Sequence, residues 1–408
     1  MNEQTENSKS ISLVGCGVSA ADLTEKHLAV IRQADVLAGG QRLLDWFPDF
    51  KKEKVSVDAH VASTIDVLVA KAKSQKVVLL ASGDPLFFGI GRLLAEKVGS
   101  SSLKIYPNIT ALQSAMARLG MSWHTAQVFS VHGRKSILPW RRILQAQLAA
   151  IYTDPERDSA KVAAELIARY PASAKRNGFI VSDLGMPTEK VTSGVLSDLA
   201  LAVPGKLSIL VLHEGGEVPP VALGLDNGQY ERHAEMITHP EIRAVAISKL
   251  RVKPGVMWDV GAGSGSVGIE AGLLCPGVAV YSVEQDEERC RHITVNAEQA
   301  GVSPLTVVRG QAPTSLKDLP DPDFVFVGGG GADISGIVEY SMSRLKSGGR
   351  VVVTAVLLET KACLLECCAG KRIEVLDLMI SRASKLGGSS RMTPDNPVTI
   401  FVFEKELS

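Results

Sequence analysis

One short run constrains this chain more than any other: Val256-Met257-Trp258-Asp259-Val260, followed by Gly261-Ala262-Gly263-Ser264-Gly265-Ser266. Residues suited to a buried strand enter a G-x-G-x-G turn, and SVGIEAGLL then reads as the start of a helix. Strand, tight glycine turn and helix in that order are the unit from which parallel α/β sheets are built. Glycines are needed where the backbone turns sharply and a ligand must approach it with no Cβ in the way. The helix beyond offers unpaired N–H groups to a polar ligand.

Downstream segments extend the pattern. VAVYSVE reads as a second strand ending in Glu284. That acid lies about 20 residues past the glycines, where it either accepts both hydrogen bonds of a ribose diol or is a solvated strand-end acid. Asp259 is placed to orient the loop, to meet the amino-acid end of a cofactor, or only to cap the loop. LTVVRGQAP, PDFVFVGGGG, the strand after SRLKSGG, IEVLDLMI and PVTIFVFEK supply five more strands. Counted from Gly261, the first glycine after the strand, the run through Gly263 and Gly265 is G-x-G-x-G, with Ser266 where a dinucleotide G-x-G-x-x-G site has its third glycine and Gly268 following; this argues against a nicotinamide oxidoreductase. The D-V-G-A-G-S-G string resembles motif I of class I S-adenosylmethionine (SAM)-dependent methyltransferases. The resemblance implies a Rossmann-like seven-stranded domain, with Gly310 and Ala312 near an adenine. The N/D-P-P-Y/F motif of many nucleic-acid amino-methyltransferases is replaced by Gly328 to Gly331, so an exocyclic base amine is not the expected substrate.

With 408 residues, the chain has room for about two domains. Alternating strand-like and helix-like segments fill the first half too: ISLVGCG, KVVLLAS, SLKIYP, AQVFSV, AAIYT, NGFIVSD and KLSILVLHE, with helical stretches at 60–74 and 109–119. The pattern breaks at the Gly- and Pro-rich run 214–230, read as a linker between domains at 10–213 and 231–408. Four loops in the first half each follow a strand: Gly15-Cys16-Gly17-Val18-Ser19, Gly39-Gly40-Gln41-Arg42, Ser82-Gly83-Asp84-Pro85 with its flanks, and Tyr106-Pro107-Asn108-Ile109-Thr110. In an open α/β sheet such loops gather at one edge and line a cleft. Together they resemble the tetrapyrrole (corrin/porphyrin) methylase family, with S-G-D-P the most specific element. That likeness implies a second SAM site using Gly15, Gly17, Ser82, Gly83, Asp84, Pro85, Asn108 and Thr110.

A tetrapyrrole methylase followed by a class I methyltransferase, with WDVGAGSGS, RGQAP, FVGGGG and the SVHGR string of residues 130–134, resembles the family of fused, decarboxylating precorrin C5,15-methyltransferases of the cobalamin pathway. This implies methylation of two carbons of a reduced macrocycle, C5 by the N-terminal half, and decarboxylation of an acetate. His132, Arg243 and His239 are the candidate catalytic residues. A carboxylate-rich substrate suits bidentate arginines, and Arg42, Arg134, Arg243, Arg382 and Arg391, with Lys385, are the candidates. Two departures from the family pattern stand out: Val18 where a proline is common, and His239 where a lysine is common. Competing readings are a class I methyltransferase of another small substrate with a non-catalytic N-terminal specificity domain, and a tetrapyrrole carrier without catalysis.

Bulk properties set the remaining expectations. Lys+Arg and Asp+Glu balance at 44 each, which argues against a nucleic-acid partner. Six cysteines without a C-x-x-C pair suggest neither a metal site nor a disulfide framework. No apolar run approaches the ~20 residues that span a bilayer, and MNEQTENSKS lacks an apolar signal core. The expected protein is cytoplasmic and homo-oligomeric, with no membrane partner and no metal.

Overall fold

The computed structural model describes residues 11–57, 61–131, 137–216, 218, 221–233, 237–328, 331–367 and 373–406. The chain divides into two compact α/β units: Met1–Arg134 with Ile143–Glu217, and Lys135–Arg142 with Val218–Ser408. Among the described residues no helix is long and apolar enough to cross a membrane.

The first unit contains two five-stranded sheets. Strands β1 (Ile11–Gly15), β2 (Val36–Gly39), β3 (Glu53–Ser56), β4 (Val77–Ala81) and β5 (Leu103–Tyr106) form a parallel sheet in the order β3-β2-β4-β1-β5. β1 and β4 are almost wholly buried, as fits short apolar runs covered on both faces. Leu13, Ile65 and Leu79 pack on one side, and Val14, Leu37 and Leu80 on the other. Strands β6 (Gln127–Ser130), β7 (Leu148–Tyr152), β8 (Asn177–Ser182), β9 (Lys190–Val195) and β10 (Ser208–His213) make a mixed sheet ordered β6-β7-β10-β8-β9. Because β1 sits between β4 and β5, the loops leaving these three strands emerge side by side at their carboxyl ends, the usual place for a ligand crevice.

The second unit is built on β11 (Gly255–Val260), β12 (Val278–Glu284), β13 (Leu305–Arg309), β14 (Phe324–Val327), β15 (Arg350–Ala355), β16 (Ile373–Leu378) and, after a separate hairpin of β17 (Ser381–Leu386) and β18 (Ser389–Pro394), β19 (Val398–Glu404). The seven-stranded sheet has the order β13-β12-β11-β14-β15-β19-β16, with β19 antiparallel to both neighbours. Trp258, Val325 and Phe401 fill one face, and Met257, Phe326 and Ile400 the other. The chain reverses direction across the sheet between β11 and β14, opening a crevice at their carboxyl ends.

Two details differ from the sequence reading. The β17–β18 hairpin was not expected; its residues are almost all exposed, so it carries no apolar alternation to read. Residues 135–142, inside the stretch expected to form the first domain, cluster with the second unit. There Trp140 Nε1–H donates to Gln299 O at 3.0 Å, and its indole lies where a Cβ on Gly301 would stand.

Candidate functional site

In the second unit the glycine turn forms one wall of a cavity of about 800 Å³. Gly261, Gly263 and Gly265 all have positive φ (67°, 58° and 76°), backbone that L-residues adopt only at a cost. Gly261 N–H donates back to Val283 O at 2.9 Å, which locks the turn against β12. A Cβ on Gly263 would meet nothing but open cavity.

Glu284, at the end of β12, faces this turn. Its Oε2 accepts from Gly263 N–H at 2.9 Å, and its Oε1 accepts from Gln285 and Asp286 N–H at 3.0 and 3.1 Å. Three backbone amides thus fix the carboxylate at the cavity wall. Gly310 and Ala312 follow β13 and also line the cavity. A carboxylate beside an open glycine edge, with the start of the helix Ser266–Leu274 adjacent, is a donor and acceptor set that fits an adenosine-bearing cofactor. Gln311, Asp333, Thr354 and Thr360, not singled out from the sequence, also line the cavity, as do His233, Thr238, Gln285 and Arg289. The signal for Gln311, Asp333, Thr354 and Thr360 is position, at or beyond the carboxyl ends of β13, β14 and β15.

Several expected site residues are elsewhere. Asp259 is 1% exposed and lies behind the turn rather than in the cavity wall. Its Oδ2 accepts from Gly268 N–H at 3.0 Å, while Oδ1 is buried with no partner among the described residues. Burial, against that hydrogen bond and reinforced by nearby Glu284, pushes its carboxyl up to about 7. Gly265 shapes the turn but faces Ile293, not the cavity.

Arg243 is the clearest correction: it is fully buried, so it cannot meet a substrate. Its Nε donates to Glu270 Oε1 at 2.6 Å, and Nη1 donates to Asn227 Oδ1 and Thr238 O at 3.1 and 2.6 Å. Nη2 donates to Leu225 O, and the guanidinium stacks on the Tyr230 ring at 5.0 Å. Glu270 in turn accepts from Gly224 and Leu225 N–H. The pair therefore ties the chain at 224–230 to the helix that starts at the glycine turn.

His239 does line the cavity, at the N-terminus of the helix Pro240–Leu250. Arg382 lies outside the wall: it donates to both oxygens of Glu241 (2.9 and 2.7 Å) and to Asp395 (3.0 Å), and its Nη2 is 3.3 Å from His239 Nδ1. Arg391 and Lys385 are in the exposed hairpin. His132 and Arg134 fall outside the described residues.

In the first unit the four loops converge. Gly17 and Gly83 exchange backbone hydrogen bonds (3.3 and 2.9 Å), and Asn108 Nδ2 donates to Gly15 O at 3.0 Å and to Asp22 O at 3.1 Å. A Cβ on Gly15 would stand 2.8 Å from Gly83 O, 2.9 Å from Pro85 Cδ and 3.0 Å from Asn108 Cβ, so only glycine lets the loops close up. Arg42 Nη2 donates to Ser82 Oγ at 3.0 Å and the guanidinium lies over Trp46 at 5.6 Å. Asp84 accepts from Leu86 N–H, and Thr110 caps the helix Ala111–Leu119 with Gln113 as its reciprocal partner. Much of the polar capacity of these side chains is therefore used in holding the loops.

A curated precorrin-6Y C(5,15)-methyltransferase [decarboxylating] of a Sinorhizobium species is 33% identical over 406 residues, covering 97% of this chain and 96% of that one. The chain belongs to the decarboxylating precorrin-6Y C5,15-methyltransferase family. A second precorrin-6Y C(5,15)-methyltransferase, from Mycobacterium tuberculosis, is 28% identical and covers 95% of this chain and 98% of its own. A shorter relative, the probable cobalt-precorrin-6B C(15)-methyltransferase (decarboxylating) of Pyrobaculum calidifontis, is 38% identical over 188 residues, 45% of this chain and 96% of that protein. Residues 10–200 match the tetrapyrrole (corrin/porphyrin) methylases, and residues 229–405 match the precorrin methyltransferase domain. Membership of the precorrin-6Y methyltransferase family thus joins both glycine-loop clusters in one polypeptide.

Proposed function

We propose that the chain methylates C5 and C15 of precorrin-6Y, or of a cobalt-bearing equivalent, and decarboxylates its C12 acetate, with SAM as donor at two sites. Residues 10–213 would hold one site and 231–408 the other, joined by 214–230. The observation that carries this reading is end-to-end similarity to a relative of that name, 96% of which this chain covers. The cofactor assignment rests on the glycine turn, Glu284 and the cavity in the second unit, and on the loop cluster in the first.

A bound SAM supplies an electrophilic methyl on a sulfonium. The protein's part is then placement and exclusion of water, because an electron-rich pyrrole carbon is itself the nucleophile. Glu284 would take the ribose diol, and the wall at Gly310 and Ala312 would flank the base. His239, which lines the cavity and stands where the family commonly has a lysine, is the proposed catalytic residue on this wall. Decarboxylation sends an electron pair into the conjugated pyrroles, which needs no nucleophile from the protein. Arg42, Arg134, Arg382 and Arg391 remain the proposed carboxylate partners, and Arg243 does not. The same reading makes the protein a cytoplasmic homo-oligomer.

The test is twofold. Calorimetric titration of the whole chain with S-adenosylhomocysteine should give two sites. Incubation with SAM and precorrin-6Y should yield, by mass spectrometry, a product with two added methyls and one lost carbon dioxide. One site, or an unchanged substrate, would sink the reading. Replacing Glu284 by Gln should weaken one of the two sites on the order of 10–100-fold, the scale of two charge-assisted hydrogen bonds, and leave the other unchanged.

A further inference from the structure

The loop after β4 carries a feature that cofactor binding does not explain. Phe88 has φ 54°, backbone that is a genuine outlier for a bulky residue, and its side chain is 55% exposed. Both the strain and the exposure are unfavourable, and neither is relieved by burial. Yet the ring is held firmly. Phe87 meets it edge-on at 5.0 Å, and Tyr152, on β7 of the second sheet, lies 5.8 Å away. Phe87 is itself packed among Leu112, Ala115 and Met116. The Tyr152 hydroxyl accepts from Leu112 N–H at 2.8 Å, at the start of the helix after Thr110. Neighbouring Leu86 and Ile109 are also exposed, at 54% and 36%, on the loops that flank Gly83. Rigid presentation of an uncovered aromatic face beside a glycine-loop cluster is what a flat, apolar ligand face requires.

We propose that Phe88, flanked by Leu86 and Ile109 and braced by Phe87 and Tyr152, is the seat on which one face of the macrocycle rests in the first unit. This makes Phe88 a substrate-positioning residue for the methyl transfer performed there, and it rests on the reading of that unit as a methylating domain. The contact is offset stacking on a pyrrole face, so it orients the substrate without taking part in bond making.

The experiment compares the wild-type chain with Phe88→Gly and Phe88→Tyr at full length. Glycine removes the ring and relaxes the backbone, so the seat predicts unchanged or raised thermal stability and two intact S-adenosylhomocysteine sites. It also predicts a product carrying one added methyl in place of two, with kcat/KM for the missing transfer down on the order of tenfold or more, the scale of one aromatic contact. Tyrosine should restore most of the second methyl. If Phe88→Gly adds both methyls at the wild-type rate, the seat is overturned while the function stands. If it loses thermal stability, or changes the oligomeric state in sedimentation, Phe88 is a packing or assembly residue and the seat is likewise overturned. A wild-type chain that adds no methyl would overturn this proposal and the parent reading together.

Discussion

Asp259 sits on β11, just before the glycine turn that first identified the fold, and its side chain lies behind that turn. Its carboxyl titrates near 7 in the folded protein because burial disfavours the charge, against about 3.9 in an unfolded chain. Between those values the folded state holds a proton that the unfolded state has lost. Stability from this group is therefore greatest below about pH 4 and falls as pH rises towards 7. Urea midpoints at pH 5 and pH 8 should drop further for the wild type than for Asp259→Asn. Equal drops would mean that the carboxyl ionises normally. At this scale the places of Gly261, Gly263 and Glu284 on the cavity wall were legible, because each follows directly from where a strand ends in the sequence. Arg243 was not: an arginine early in a helix looks solvated, and its partners Glu270, Asn227 and Leu225 are brought to it only by tertiary folding.

The hairpin of β17 and β18 packs few side chains, and the Arg382 fork onto Glu241 is its visible tether to the helix that begins beside His239. Replacing Arg382 by Ala should speed amide hydrogen exchange at 381–394 severalfold. The melting temperature should hardly move, since exposed pairs contribute about 0–1 kcal/mol. Unchanged protection would show that the strands hold the hairpin without the tether. A second element-level expectation concerns packing of the helix Ser266–Leu274 against β11 and β12. A Cβ on Gly268 would fall 2.8 Å from both Asp259 Oδ2 and Val280 Cγ1. Gly268→Ala should therefore destabilise the second unit by about 1–3 kcal/mol in urea denaturation, and an unaffected midpoint would contradict the close packing. Core strands such as β4, β11 and β14 were readable because short apolar runs leave few alternatives. The hairpin was not, for the sequence SRASKLGGSSRMTP carries neither helical nor strand periodicity.

For the molecule as a whole, both sheets with glycine-loop edges could be anticipated, since each strand–turn–helix unit is local and repeats along the chain. The passage of residues 137–142 into the second unit could not, because it depends on Ile137 and Trp140 finding partners such as Val302 and Gly301 far along the sequence. The second unit's integrity should depend on the Arg243–Glu270 pair. Arg243→Met alone would strand a buried carboxylate and cost about 3–5 kcal/mol, whereas the double change to Arg243→Met with Glu270→Met should recover much of that loss. Equal losses in single and double variants, by urea denaturation, would show that the pair is not coupled.

The position of β19 bears on how the protein is made. This strand lies between β15 and β16, and until it arrives the edges at Ala355 and Leu378 have no partner. On the ribosome β15 is complete at residue 355, and synthesis at ~5–20 residues per second leaves roughly 2–10 seconds before residue 404 appears. During that interval the nascent second half exposes a bare β-edge beside Val351 and Val353, the kind of surface on which chaperones act.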